Sequence, residues 1–293
     1  MDEIVYINRK TGDRVVEKVP GGGMMKFLYS SNVLGRFTLW LLIKRRFFST
    51  MAGWFMNSRF SKKSIGKFIK THQINMAEYI VPPNGFKHFN AFFYRKIKLD
   101  KRPIGNGIVS PADGKLLVFP SIKNTETFFV KGRPFNLSAF LQNEKDALKF
   151  EGGSMAIIRL APTDYHRYHF PVTGFVGDNN RIFGDYYSVS PLALRQRMEI
   201  FSQNAREYVI VKSKQYGEVL ICDVGATLTG SIVQSHWPNI EIQKGQEKGY
   251  FAFGGSTIIL LFEKGKMTFS EDLIKNTQLG LETAIKMGET IGN

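Results

Sequence analysis

The sequence predicts an α+β protein, with basic amphipathic N-terminal helices packed on a largely antiparallel β core and a C-terminal helix. Three observations predict it. From Met24 to Lys70 there are ten Lys or Arg and no Asp or Glu, with apolar residues at near-helical spacing. From about Gly107, short Val-, Ile- and Leu-rich runs alternate with Gly, Pro and Asn. Ser270-Glu271-Asp272 then opens a helix, with a serine cap and acids in its first turn.

Taken in order, the chain begins with Ile4-Val5-Tyr6-Ile7, whose alternation fits an edge strand. Gly21-Gly22-Gly23 reads as a joint. The basic segment after it carries Phe37, Trp40, Leu41, Phe48, Met51 and Phe55 on its apolar stripe, interrupted by Lys44. Pro82-Pro83-Asn84-Gly85 closes the helical region. Expected strands include Met155–Leu160, Tyr208–Val211, Glu218–Ile221 and Thr257–Phe262, at a spacing that suits a compact antiparallel core. The natural division is residues 1–75, basic and helical, and 76–293, where the β texture dominates.

Composition narrows the partners. The 293 residues are 43% hydrophobic, enough for one large or two modest domains, and the net charge of +15 calls for an anionic partner. The single Cys222 excludes an intramolecular disulfide and sits in an apolar run that predicts a buried, inert thiol. No uncharged run reaches the roughly 18 residues of a spanning helix, and Met1-Asp2-Glu3 does not resemble a secretory signal. The basic segment has three readings: a helix lying in the bilayer interface, a nucleic-acid patch, or a solvated face. Abundant aliphatics among the aromatics favour lipid.

Four short segments carry candidate chemistry. Ser110-Pro111-Ala112-Asp113-Gly114 is a turn between β-like runs. Ala161 to Pro171 contains His166 and His169, which fit metal ligands, a catalytic pair or an aromatic cluster. Metal is the poorest of these, because only His72, His88, His236 and Cys222 offer further nitrogen or sulfur. Asp223 to Ile232 is rich in small residues that allow close backbone approach. Phe253-Gly254-Gly255-Ser256-Thr257 leads into an apolar strand and fits neither a nucleophile elbow nor a P-loop.

In this order the segments resemble the phosphatidylserine decarboxylase family, from about Asn75 to the end. The resemblance includes Phe89-Asn90-Ala91-Phe92-Phe93-Tyr94-Arg95-Lys96, Arg102-Pro103-Ile104 and Ser110-Pro111-Ala112-Asp113-Gly114. It continues through Asp164 to Pro171, Val224-Gly225-Ala226-Thr227, Gly255-Ser256-Thr257 and Lys286-Met287-Gly288-Glu289. Gly254 stands where much of the family has Leu.

The resemblance implies self-cleavage between Gly255 and Ser256 into a β chain, 1–255, and an α chain, 256–293. Ser256 Oγ would attack the Gly255 carbonyl, with His169 as base and Asp113 orienting it in an Asp-His-Ser relay. Elimination from the ester and hydrolysis would leave a pyruvoyl cofactor at position 256. That group would form a Schiff base with phosphatidylserine, and His166 would serve the proton steps of decarboxylation to phosphatidylethanolamine. Implied partners are the lipid substrate, an anionic membrane surface and an α/β heterodimer of the fragments, itself open to further dimerisation, with no nucleic acid. The implied location is the cytoplasmic side of the cell membrane, held peripherally. Two rivals from other classes are a non-catalytic basic binding module and a serine hydrolase using Asp113, His169 and Ser256 with water.

Overall fold

The computed structural model describes residues 4–17, 53–124, 136–185, 200–225, 232–252, 254 and 256–293. The expected joint at 21–23, most of the basic segment and Gly255 lie outside these residues.

Sixteen strands occur among the described residues. The first eight are β1 (Val5–Asn8), β2 (Arg14–Val16), β3 (Ile108–Val109), β4 (Gly114–Phe119), β5 (Ser154–Leu160), β6 (Arg167–His169), β7 (Gly174–Val176) and β8 (Asn180–Ile182). They continue with β9 (Arg206–Ser213), β10 (Gly217–Gly225), β11 (Ile232–Gln234), β12 (Ile240–Ile242), β13 (Glu247–Phe251), β14 (Ser256–Phe262), β15 (Glu282–Ile285) and β16 (Thr290–Gly292). The main sheet runs β12-β7-β9-β10-β14-β5-β4-β15-β1-β2, with β8 also on β9. Every pairing in it is antiparallel except β1 with β15. A second sheet, β11-β13-β6, and a third, β16-β3, complete the β structure.

The central strands are apolar on both faces because both faces are covered. On one face Leu116, Ile158, Ile258, Leu260 and Ile221 pack with Tyr168 and Phe251 of the smaller sheet and with Phe170 just after it. On the other, Leu117, Ile157, Ile259 and Leu220 pack with Phe140, Ala147 and Phe201 from short helices. Cys222 is buried in this second layer, as its apolar run predicts.

A separate small core joins the helices Lys63–His72 and Phe89–Phe93 through Ile65, Phe86, Phe89, Phe92 and Phe93. In the first helix Ile65, Phe68, Ile69 and His72 keep the helical period, and Gln73 ends it in the left-handed region at φ 52°. The turn at Pro82–Gly85 does not end the helical region, since Phe89–Phe93 comes after it, with His88 as its cap. The opening residues do form a strand, but β1 and β2 join the main sheet, where Arg159 is clamped between Glu17 and Glu282. The C-terminal helix, Glu271–Gln278, begins after Ser270 as expected, although the serine side chain makes no cap hydrogen bond. Two short strands, β15 and β16, then complete the chain.

Candidate active site

The sheet collects the expected site residues at one end. Lys115, Arg159, Thr257 and Val224 stand opposite one another across four strands, and Ser256 lies one residue further on, between Leu160 and Gly225. Gly114 lets β4 approach β5 closely, since a Cβ there would lie 2.7 Å from the Arg159 carbonyl oxygen. Ser256 shares strand parity with Ile258 and Leu260, so the pleat directs it to the face covered by the sheet that carries His169. It is fully buried, and its hydroxyl has no hydrogen-bond partner among the described residues. Gly254, just before it, has φ 144°, a conformation that side chains other than glycine's resist.

Asp113 is buried at the start of β4. Arg102 grips both oxygens, with Nε to Oδ1 at 2.9 Å and Nη2 to Oδ2 at 2.6 Å. Lys286 Nζ at 3.2 Å and the Met287 amide at 2.8 Å complete the cage. Burial alone would raise this carboxyl, but the Arg102 hydrogen bond and the charges of Lys286 and Arg102 outweigh it and hold the group ionised below the usual range. Among the described residues no hydrogen bond runs from His169 to Asp113, because Arg102, Lys286 and the Met287 amide already donate to the carboxylate.

His169 is oriented instead by Gly245, whose carbonyl oxygen accepts from Nδ1 at 2.9 Å. A carbonyl only accepts, so Nδ1 carries the proton and the neutral ring offers its lone pair at Nε2. The Tyr165 hydroxyl donates to Nε2 at 3.1 Å. Burial lowers the His169 pKa, partly offset by the Gly245 bond and by the charges of Glu247 and Asp113. His166 is fully buried, its pKa pushed down to about 3 by burial. Its Nδ1 bonds the Asp164 carbonyl oxygen at 2.9 Å, its ring lies 3.8 Å from that of Phe93, and Nε2 has no partner among the described residues.

Several site residues have no role that the sequence alone predicts. Tyr165, Arg102 and Lys286 stand inside the segments that bear the family resemblance, but nothing in their spacing reveals their contacts. Asp223 and Lys248 form a fully buried ion pair completed by Gln234. Asp223 Oδ1 has no hydrogen-bond partner among the described residues. Its place opposite Ile258 puts it diagonal to Ser256 on the same face of the sheet.

Residues 89–293 match the phosphatidylserine decarboxylase family. The chain belongs to the phosphatidylserine decarboxylase family. Among curated relatives, the phosphatidylserine decarboxylase proenzyme of Fusobacterium nucleatum is 47% identical over 295 residues, covering 100% of this chain and 98% of its own. That of Clostridium novyi is 46% identical over 99% of both chains, and that of Chlamydia trachomatis serovar D is 41% identical over 99% of this chain and 97% of its own. All three relatives are named as proenzymes.

Proposed function

We propose that this chain is a self-processing phosphatidylserine decarboxylase, cut between Gly255 and Ser256, that converts phosphatidylserine to phosphatidylethanolamine and carbon dioxide. The observation that carries this reading is the buried, unpartnered Ser256 hydroxyl at the head of β14, in a member of this family.

Self-cleavage needs a base for a weak nucleophile. His169 is neutral and holds its lone pair at Nε2, so it serves once Ser256 replaces Tyr165 there. Asp113 acts at one remove, its charge favouring the imidazolium that forms. Ser256 Oγ attacks the Gly255 carbonyl carbon, the peptide nitrogen takes the proton, and an ester results. Elimination releases Gly255 as a carboxylate and leaves a dehydroalanine, which takes up water and loses ammonia.

The residues fit the resulting pyruvoyl group, since position 256 lies in a buried, small-residue end of the sheet with an orphaned oxygen. That group supplies a carbonyl that accepts electrons as carbon dioxide departs. The proton steps would fall to His166: neutral when the site is empty, its Nε2 would take a proton beside a bound anion and give it to the carbon that lost carbon dioxide.

The fragments would stay together as a heterodimer. β14 is hydrogen-bonded between β10 and β5, and Lys286 and Met287 of the smaller fragment hold Asp113 of the larger. The membrane reading draws on exposed Trp54, Phe55 and Phe60 beside Arg59, Lys62 and Lys63. No helix among the described residues is long and apolar enough to cross a bilayer. The exposed aromatics beside basic side chains support a peripheral position on an anionic membrane surface.

The test is carbon dioxide release from phosphatidylserine vesicles by the purified protein and its Ser256→Ala variant. The parent should release it and the variant should neither cleave nor release. Release by the variant at the parent rate would overturn the reading.

A further inference from the structure

A cavity of about 780 Å³ opens between the helical core and the smaller sheet, within the range of small-ligand sites. Arg59, Lys62, Lys87, Arg95, Lys96 and Arg167 line it, with no carboxylate in the lining. Arg167 is paired with Glu247. Arg95 is different. Its side chain is buried, with its guanidinium 4.1 Å from the Tyr79 ring centre and 4.8 Å from that of Phe92. Its hydrogen bonds reach only backbone carbonyls, at 3.3 to 3.5 Å, and Nε has no partner. No carboxylate pairs with it among the described residues. A buried cation without a counter-ion is costly, and an anion bound in the cavity removes that cost.

The cavity also adjoins the chemistry. Tyr94 and Arg95 in its wall come directly after Phe93, which stacks on His166. Arg167, the residue after His166, donates Nε to the Tyr94 carbonyl at 2.8 Å. In its lining Ile80 is exposed, at 51%, beside Pro82 and Pro83. A free inorganic anion has no use for such a rim, whereas a phospholipid needs cations for its phosphodiester and apolar surface where its chains leave.

We propose that this cavity is the phosphodiester site of the substrate lipid, with Arg95, Lys87 and Lys96 holding the phosphate and the serine end directed toward His166. The assignment rests on the decarboxylase reading for the identity of the lipid. Lys87 and Lys96 are exposed, so their replacement leaves the fold and the processing residues intact.

The experiment uses the mature enzyme with Lys87→Glu/Lys96→Glu and, separately, Arg95→Gln. Phosphatidylserine is presented in neutral detergent micelles, which remove any contribution from an anionic surface. Loss of charge-assisted contacts should raise KM roughly tenfold or more in the double variant. kcat should stay near the parent's, and self-cleavage by intact mass should be complete. Lys87→Arg/Lys96→Arg should restore KM. Calorimetric binding of dihexanoyl phosphatidylserine, below its micelle concentration, should weaken in parallel, with inorganic phosphate a far poorer ligand. If KM and lipid binding are unchanged in both variants, or phosphate binds as tightly as the lipid, the assignment is wrong. A parent that binds the short lipid through these residues but releases no carbon dioxide would overturn the decarboxylase reading and leave the lipid site standing.

Discussion

Tyr165 and His169 share one hydrogen bond, 3.1 Å long, and it occupies the lone pair through which His169 would activate Ser256. Burial raises the Tyr165 phenol well above its ordinary value, so it stays protonated and keeps donating. A hydrogen bond of this kind contributes about 0.5–1.5 kcal/mol, or roughly twofold to twelvefold in a competing equilibrium. Tyr165→Phe should therefore speed self-cleavage by a factor in that range, measured as the half-time of fragment appearance after translation. Slower cleavage would make the Tyr165 hydroxyl a member of the relay.

Asp113 is the second case where position and stability are entangled. Removing it leaves the buried Arg102, whose other carboxylate partner is Glu78, without its bidentate acceptor. Breaking a buried pair in this way costs about 3–5 kcal/mol. For a chain of this size that lowers Tm by roughly 5–8 °C. Asp113→Ala should thus lose both processing and heat resistance, while His169→Ala loses processing with a smaller shift. Equal Tm values for Asp113→Ala and the parent, by calorimetry, would show that the cage contributes little.

The sequence made the largely antiparallel β core and the C-terminal helix legible, because apolar runs alternate there with Gly, Pro and Asn, whereas Asp113, His166, His169 and Ser256 stood out in short segments whose roles came only from the family resemblance. Their partners were not legible. Arg102 lies 11 residues from Asp113, and Lys286 lies 173 residues away. Only the pairing of β15 with β4 brings the latter near. Strand β1 looked like an edge strand in a separate N-terminal region. Its parallel pairing with β15 is a long-range contact that alternation alone cannot reveal. The helix Phe89–Phe93 was obscured by the Pro82–Gly85 turn before it, since a turn marks a break and carries no sign of the next element.

Asp223 and Lys248 offer a test of why charge is buried beside the site. Lys248→Met alone strands Asp223 and should cost about 3–5 kcal/mol, whereas Asp223→Leu/Lys248→Met should recover most of that loss. Urea unfolding of both on a Ser256→Ala background, which keeps the chain in one piece, gives the comparison. A double variant no more stable than the single one would mean that the pair contributes specific stability that apolar packing cannot replace.

Acid should destabilise the protein before its carboxylates titrate. Burial lowers the pKa of His166 to about 3 from an ordinary 6.5 and also lowers those of His169 and His236. Between these two values the unfolded chain binds the His166 proton and the folded chain does not. Stability therefore falls as pH drops below about 6.5, by up to about 1.4 kcal/mol per pH unit for each such histidine, and is level above it. His166→Leu should flatten the slope measured by urea unfolding from pH 7 to pH 4.5. An unchanged slope would place the acid sensitivity elsewhere.

Intact-mass analysis of the purified protein tests the central claim most directly. Without added protease the chain should appear as two species, 1–255 and 256–293, whose masses sum to that of the full chain plus one water and less one ammonia. The smaller should resist Edman sequencing and gain mass with borohydride, since it begins with a carbonyl. A single full-length species in a preparation that releases carbon dioxide from phosphatidylserine, or a smaller fragment that begins with a free serine amine, would contradict it.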